Sequence, residues 1–309
     1  MFGQPVGPLS GWRRPPRGAR GFTLLEMLVG LTLMGIVVGG LLSVLVRQQR
    51  FYSRVDGTVG MRSAMRHAFA SFPADLRGMS PGSGDIYALD DRSIEFRAIR
   101  GSSIVCVIPL VAGQTLIIPP ATLQRNNGLT SWMETPVAGD SLLIYTEGPG
   151  AGTDDDVWTL YRITAIAPMV NGCPIATGFT TAADAAPAYH ITLDANLDPT
   201  IVVGAPVRVF RRVRYELYQS GAEWYLGYRD CLTVGCSAIE PIGGPYRPYL
   251  GAAGPSGLRL TYEDTTGAVA TPTTVARISI VVRGQTPIRS DGSRGRDSLT
   301  TVVGIRNRP

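Results

Sequence analysis

Lysine is absent from this 309-residue chain: all 29 basic residues are arginine. Histidine is nearly absent too, with only His67 and His190. Nucleophilic hydrolysis usually needs a base beside its Ser or Cys. Here His67 falls on a predicted helix, and His190 opens a predicted strand and is read as structural. After residue 80 no helical pattern follows a strand, so no glycine-rich turn is placed to cradle a phosphate. The chain is therefore expected to be non-enzymatic, with no catalytic residue and no cofactor. Cysteine is scarce as well: Cys106, Cys173, Cys231 and Cys236. There is no second close cysteine pair and too little histidine for a metal site, so no metal is expected. An even cysteine count on an exported chain is read as disulfides. Cys231-Leu-Thr-Val-Gly-Cys236 closes a short loop and is the favoured pair, leaving Cys106 for Cys173; four cysteines allow three connectivities.

Charge is almost missing from one long stretch. Between Phe22 and Val46 the sole ionisable residue is Glu26. As a helix at about 1.5 Å per residue this run extends roughly 37 Å, enough to cross a hydrocarbon core of about 30 Å with some tilt. Ahead of it, Met1–Arg20 carries Arg13, Arg14, Arg17 and Arg20 and no acid. A basic leader before an apolar run has the form of an export signal. An ordinary secretory signal would have a shorter apolar core with a small-residue cleavage site behind it. Here the small residue, Gly21, stands in front. The formal net charge of +5 is concentrated in that leader: from Phe22 to Pro309 there are 25 arginines against 24 acids. The high pI is thus a weak argument for nucleic acid.

Arg20-Gly21-Phe22-Thr23-Leu24-Leu25-Glu26, followed by an uninterrupted apolar run, resembles the processing motif of type IV prepilins and type II secretion pseudopilins. The resemblance implies prepilin peptidase cleavage between Gly21 and Phe22 and N-methylation of Phe22. It also implies that Glu26 meets the N-terminal amine of a neighbouring subunit as a filament grows. Physics singles out Glu26 independently, because a charge in a membrane segment costs on the order of 2–3 kcal/mol and usually has a partner. Gly35 and Gly39, flanked by Gly30 and Gly40, form a G-x-x-x-G spacing suited to close helix packing in lipid.

The apolar spacing continues through Phe51, Val55, Val59, Met65, Phe69, Phe72 and Leu76, with Arg47, Arg50, Arg54, Arg62 and Arg66 in other directions. Gly57 and Gly60 predict a kink or local melting, and Pro73 a bend or an end near Phe72. From Pro81 short β-branched and aromatic runs alternate with turn residues. Strands are expected at Ser93–Arg100, Ile104–Leu110, Leu142–Thr146, Val157–Ala165, His190–Leu193, Val207–Gln219, Glu223–Arg229, Leu258–Tyr262, Val275–Arg283 and Thr300–Arg306. Ser220-Gly221 marks a hairpin, and Gly148–Asp156, Ala176–Pro187 and Gly284–Arg296 read as loops.

The expected organisation is a leader over 1–21, a transmembrane helix over 22–46, an amphipathic extension over 47–80 and a β-rich head over 81–309. In class this is α+β, a long N-terminal helix packed on a mostly antiparallel β head. In the head, Asp75-Leu76-Arg77, Glu95-Phe96-Arg97, Val105-Cys106, Val213–Leu217, Leu260–Asp264 and Val303–Asn307 resemble PilW-type minor pilins and J-type minor pseudopilins. That likeness implies a structural subunit helping to initiate assembly at a filament tip, with major and minor pilins or pseudopilins as partners. It implies a single pass through the inner membrane with the head outside. The alternative from another class is a signal-anchored exported binding or hydrolytic domain that never polymerises.

Two surface features have weaker functional readings. Arg208, Arg211, Arg212 and Arg214, with Phe210 and Tyr215 among them, form a basic cluster in which Arg208, Arg212 and Arg214 share one strand face and offer an anion or DNA face, against the more ordinary reading of an ion-paired strand. Asp154-Asp155-Asp156 offers carboxylates to a hard cation such as calcium, although a solvated loop is the commoner outcome. Asp194-x-Asn196-x-Asp198 fails as a calcium loop, because Pro199 stands where the turn needs glycine.

Overall fold

The structure is a computed structural model and describes residues 21–109, 113–150, 152, 155–184, 186–232, 235–288 and 292–305. The leader Met1–Arg20, Leu110, Asp154, Arg306 and Asn307 lie outside the described residues. The chain divides into two units, one up to Val55 and one from Asp56 onward.

One α-helix, α1, spans Leu24–Arg77. Fourteen strands follow among the described residues: β1 (Ile86–Leu89), β2 (Ser93–Ile104), β3 (Thr115–Ile118), β4 (Ser131–Trp132), β5 (Ser141–Thr146), β6 (Val157–Met169), β7 (Ala188–Leu193), β8 (Pro206–Ser220), β9 (Glu223–Leu232), β10 (Gly235–Cys236), β11 (Glu240–Tyr246), β12 (Leu258–Glu263), β13 (Arg277–Gln285) and β14 (Arg296–Gly304). Every pairing between them is antiparallel. The long helix followed by a large antiparallel sheet is the expected α+β class.

β8 is the spine. One of its edges pairs with β2 from Pro206 to Glu216. The other pairs first with β5, over Val207–Phe210, and then with β9, over Val213–Ser220. Alternation sends Val207, Val209, Val213, Tyr215 and Leu217 inward. Val207 and Val209 enter a core with Leu116, Ile118, Leu142, Ile144 and Ile191. Val213, Tyr215 and Leu217 enter a second core with Met65, Phe72 and Leu76 of α1 and Ile278, Ile280 and Val303. Arg211 sits between, at the switch, where its Nε donates to the fully buried Asp140 at 2.8 Å and its Nη1 to Glu134 at 2.6 Å. Asp230 closes the set at 3.3 Å. The Asp140 hydrogen bond, opposed by burial, holds the Arg211 guanidinium above its ordinary pKa.

Three helical expectations are corrected. Pro73 does not end α1, which runs on to Arg77. Phe72 and Leu76 are 1% and 0% exposed, and burying such side chains, at about 1.5–3 kcal/mol each, outweighs the hydrogen bond that proline removes. Gly57 and Gly60 lie inside the helix, with no melted turn. The apolar stripe is also shorter than its spacing suggested. Phe51, Val55 and Val59 are exposed, and the buried positions are Met61, Met65, Ala68, Phe72, Pro73 and Leu76.

In the head, Val105 to Pro109 forms no strand, only a bridge from Val107 to Ile117. β1, β3 and β11 form where none was expected: two are four residues long, and β11 is interrupted by Gly and Pro. The Ser220-Gly221 hairpin forms with Ser220 opposite Glu223, and Gly221 takes φ +60°, which suits the first position of a type II′ turn. The Gly284–Arg296 loop is narrower than expected, since β13 includes Gly284 and Gln285 and β14 begins at Arg296.

Candidate functional site at the start of the N-terminal helix

α1 begins at Leu24, so Thr23 is its N-cap and Glu26 its third helical residue. The Glu26 backbone N–H donates to Thr23 Oγ1 at 3.2 Å. In return Glu26 Oε2 accepts from the Thr23 backbone N–H at 3.1 Å and from its hydroxyl at 3.2 Å. This is a capping box: two reciprocal side-chain bonds satisfy donors that the first helical turn cannot satisfy itself. It matters more in lipid, where no water can take those bonds. A carboxylate there also complements the positive end of the helix dipole.

Glu26 is therefore turned back toward the Phe22–Thr23 peptide, next to the bond expected to be cut. Phe22 is 80% exposed, open to an enzyme. Sequence reasoning found Glu26 through its charge and passed over Thr23, although T-x-x-E before an apolar run carries the signal. From Phe22 to Val46 all side chains are exposed, and α1 is apolar and long enough to cross a membrane. At Gly30, Gly35, Gly39 and Gly40 an added Cβ would meet nothing within 4 Å, so the G-x-x-x-G positions stand open.

A model of the prokaryotic N-terminal methylation motif matches residues 16–42. Over this segment the chain is type IV pilin-like. No curated protein and no solved structure matches the chain. The motif covers the processing site, Glu26 and the G-x-x-x-G pair, and leaves the head outside its span.

The other expected site residues are placed as follows. Cys106 is bonded to Cys173 and Cys231 to Cys236. The one grouping of metal-type ligands among the described residues is Glu95 with Cys231 and Cys236, whose sulfurs are held in that disulfide. The arginine face is divided. Arg212 pairs with Glu95 and lies 4.2 Å over the Tyr87 ring, and Arg214 pairs with Glu216 at 3.2 Å. Arg208 instead stacks over Trp158 at 4.5 Å. Of the acidic triplet, Asp155 accepts from Gly150 N at 2.6 Å and Asp156 from the Tyr145 hydroxyl at 2.6 Å. Those bonds close their own loop, and the Asp156 bond pushes the Tyr145 pKa up to about 12. Asp194 accepts from Arg162 N, and Asp198 from Thr200 N, each at 2.9 Å.

Proposed function

We propose that this protein is a minor pilin or minor pseudopilin, a structural subunit that helps to initiate assembly at the tip of a type IV pilus or type II secretion pseudopilus. The observation that carries the reading is Gly21-Phe22 placed directly before a capped helix whose first 23 residues, Leu24–Val46, hold one charge. The basic leader would stay on the cytoplasmic side of the inner membrane and the head would lie outside. Prepilin peptidase would cut after Gly21, freeing an amine at Phe22 for methylation. Glu26 would then offer its carboxylate to the amine of a neighbouring subunit, while Gly35 and Gly39 admit that subunit's helix. The β head would recognise its partners by surface complementarity and perform no reaction. A DNA-uptake role would rest on Arg208 alone, since Arg212 and Arg214 already face acids.

The test is intact mass and N-terminal sequencing of membrane-extracted protein with and without prepilin peptidase. A chain that starts at methylated Phe22 only with the peptidase present is the expected result. A chain that still starts at Met1 would instead make this a membrane-anchored domain that does not polymerise. The two duties of Glu26 separate by substitution. Glu26→Gln keeps an oxygen to accept the Thr23 bonds but removes the charge, whereas Thr23→Ala removes the cap and keeps the charge. If the charge drives assembly, Glu26→Gln abolishes incorporation, and Thr23→Ala costs about 1 kcal/mol of local helix stability with filaments still forming.

A further inference from the structure

The sheet protects its edges unequally. β3 is closed on its outer side by the bridge to Val107, with Ile117 N donating to Val107 O at 2.9 Å. β12 uses its outward groups at Leu260, whose N–H donates to Asp91 O at 2.7 Å, and at Tyr262, whose carbonyl accepts from Ala270 N at 3.1 Å. β14 pairs with β13 on one side and with no described strand on the other.

Its free groups can be assigned by alternation. In the β13–β14 register Thr286 N donates to Gly295 O and Ile305 N to Ala276 O, so the odd-numbered residues of β14 bond inward. Ser298, Thr300, Val302 and Gly304 then aim their N–H and C=O outward. Ser298 N is taken by Asp297 Oδ1 at 2.8 Å, leaving Thr300, Val302 and Gly304 without a bonded partner on that side among the described residues. The usual protections of an edge are a lysine, a proline, a bulge or an inward charge. Ser298-Leu299-Thr300-Thr301-Val302-Val303-Gly304 has none of them.

We propose that β14 pairs antiparallel with β14 of a second copy of this chain. An extended backbone is the partner that matches a row of backbone donors and acceptors in register. The strand complements itself: turned about Thr301 it sets Thr300 against Val302 and Ser298 against Gly304, so outward groups meet outward groups. Within Ser298–Gly304 no charge faces a charge. Leu299 meets Val303 on the inner face, which extends the helix-side core across the junction. This inference rests on the head alone and holds whether or not the chain is processed as a pilin.

In that register Thr301 faces Thr301 at a non-hydrogen-bonded position, where Cα atoms lie about 4.5 Å apart, within disulfide range. The test uses the full chain in detergent micelles. Thr301→Cys should give a covalent dimer on mild oxidation, and Thr266→Cys, in an exposed turn, should not. Adding Thr300→Pro deletes an outward N–H and leaves the β13 bonds in place, and should lower dimer yield about tenfold, while Thr300→Ala should not. If the proline variant loses its far-ultraviolet spectrum, Val302→Lys is used instead, adding an edge charge at an exposed side chain. A dimer yield equal to the Thr266→Cys control would overturn the proposal. So would a dimer indifferent to both Thr300→Pro and Val302→Lys, or a β14 crosslink formed only to a different protein.

Discussion

Two stretches of one helix solve the same problem in opposite ways. Leu24–Val46 is the more apolar, yet all its side chains are exposed; Met61–Leu76 mixes arginines with apolar residues, yet buries five of them to 5% or less. Hydrophobic side chains gain by leaving water wherever they go. The second stretch finds that environment in its own sheet, against Phe96, Tyr215 and Ile280. The side chains of the first are exposed among the described residues, which suits an environment of lipid or of other helices. Composition reports how much apolar surface must be covered, and spacing reports what can cover it.

The sharpest way to break this comparison is one truncation in each stretch. Phe72 is 1% exposed, and its ring stacks on Tyr215 at 4.5 Å. Phe72→Ala should destabilise the head by about 3–5 kcal/mol. Leu33→Ala, at a residue 59% exposed, should leave the midpoint of head unfolding unchanged and register only in membrane extraction. Chemical denaturation followed by tyrosine and tryptophan fluorescence reads both. An equal loss from the two would mean that Leu24–Val46 also packs on protein.

A smaller effect tests how closely helix and sheet approach in the head. A Cβ placed on Gly284 of β13 would lie 2.7 Å from Met61 Cγ and 2.9 Å from Met65 Sδ. Gly284→Ala should cost about 1–3 kcal/mol, at the low end if the flexible methionines give way. Thermal melting would show it. Met61→Ala and Gly284→Ala together should cost less than the sum of the two single changes, because Met61→Ala removes two of the three atoms in conflict. The sequence reads this glycine as the start of a loop, whereas it lies inside β13 beneath the methionines of α1.

That contrast also explains what was legible. The apolar run, Glu26 and the processing motif are local in sequence, and so are strands with clear alternation such as β8 and β9. The missed features are set by partners far along the chain. β3 forms because Val107 and His190 flank Ile117. Pro73 is carried by a core that includes Tyr215, and Arg211 is buried because Asp140 waits 71 residues away. The arginine face could be placed on one strand by alternation, and so could Glu216 beside Arg214, but not Glu95, which comes from β2. Thr23 is local too, and its signal is the T-x-x-E spacing to Glu26 rather than a charge.

The smallest expected effect lies where α1 meets the end of the sheet. Arg62 Nε donates to Asp297 Oδ2 at 2.7 Å, with the two side chains 58% and 33% exposed. That bond, helped by Ser298 N, lowers the Asp297 pKa below its ordinary value. A lowered carboxylate pKa in the folded state means that folding favours the charged form. Its contribution is complete above about pH 4, the unfolded value, and is lost as pH falls through the depressed folded value. Exposure and solvent screening limit the pair to about 0.2–1 kcal/mol. Arg62→Ala should therefore lower head stability slightly at pH 7 and by less as the solution is acidified, and 1 M salt should shrink the difference. The same substitution at Arg47, an exposed residue just past Val46, should change head stability at neither neutral nor acidic pH. A loss at Arg47 as large as that at Arg62 would mean that the boundary between the two stretches has been drawn in the wrong place.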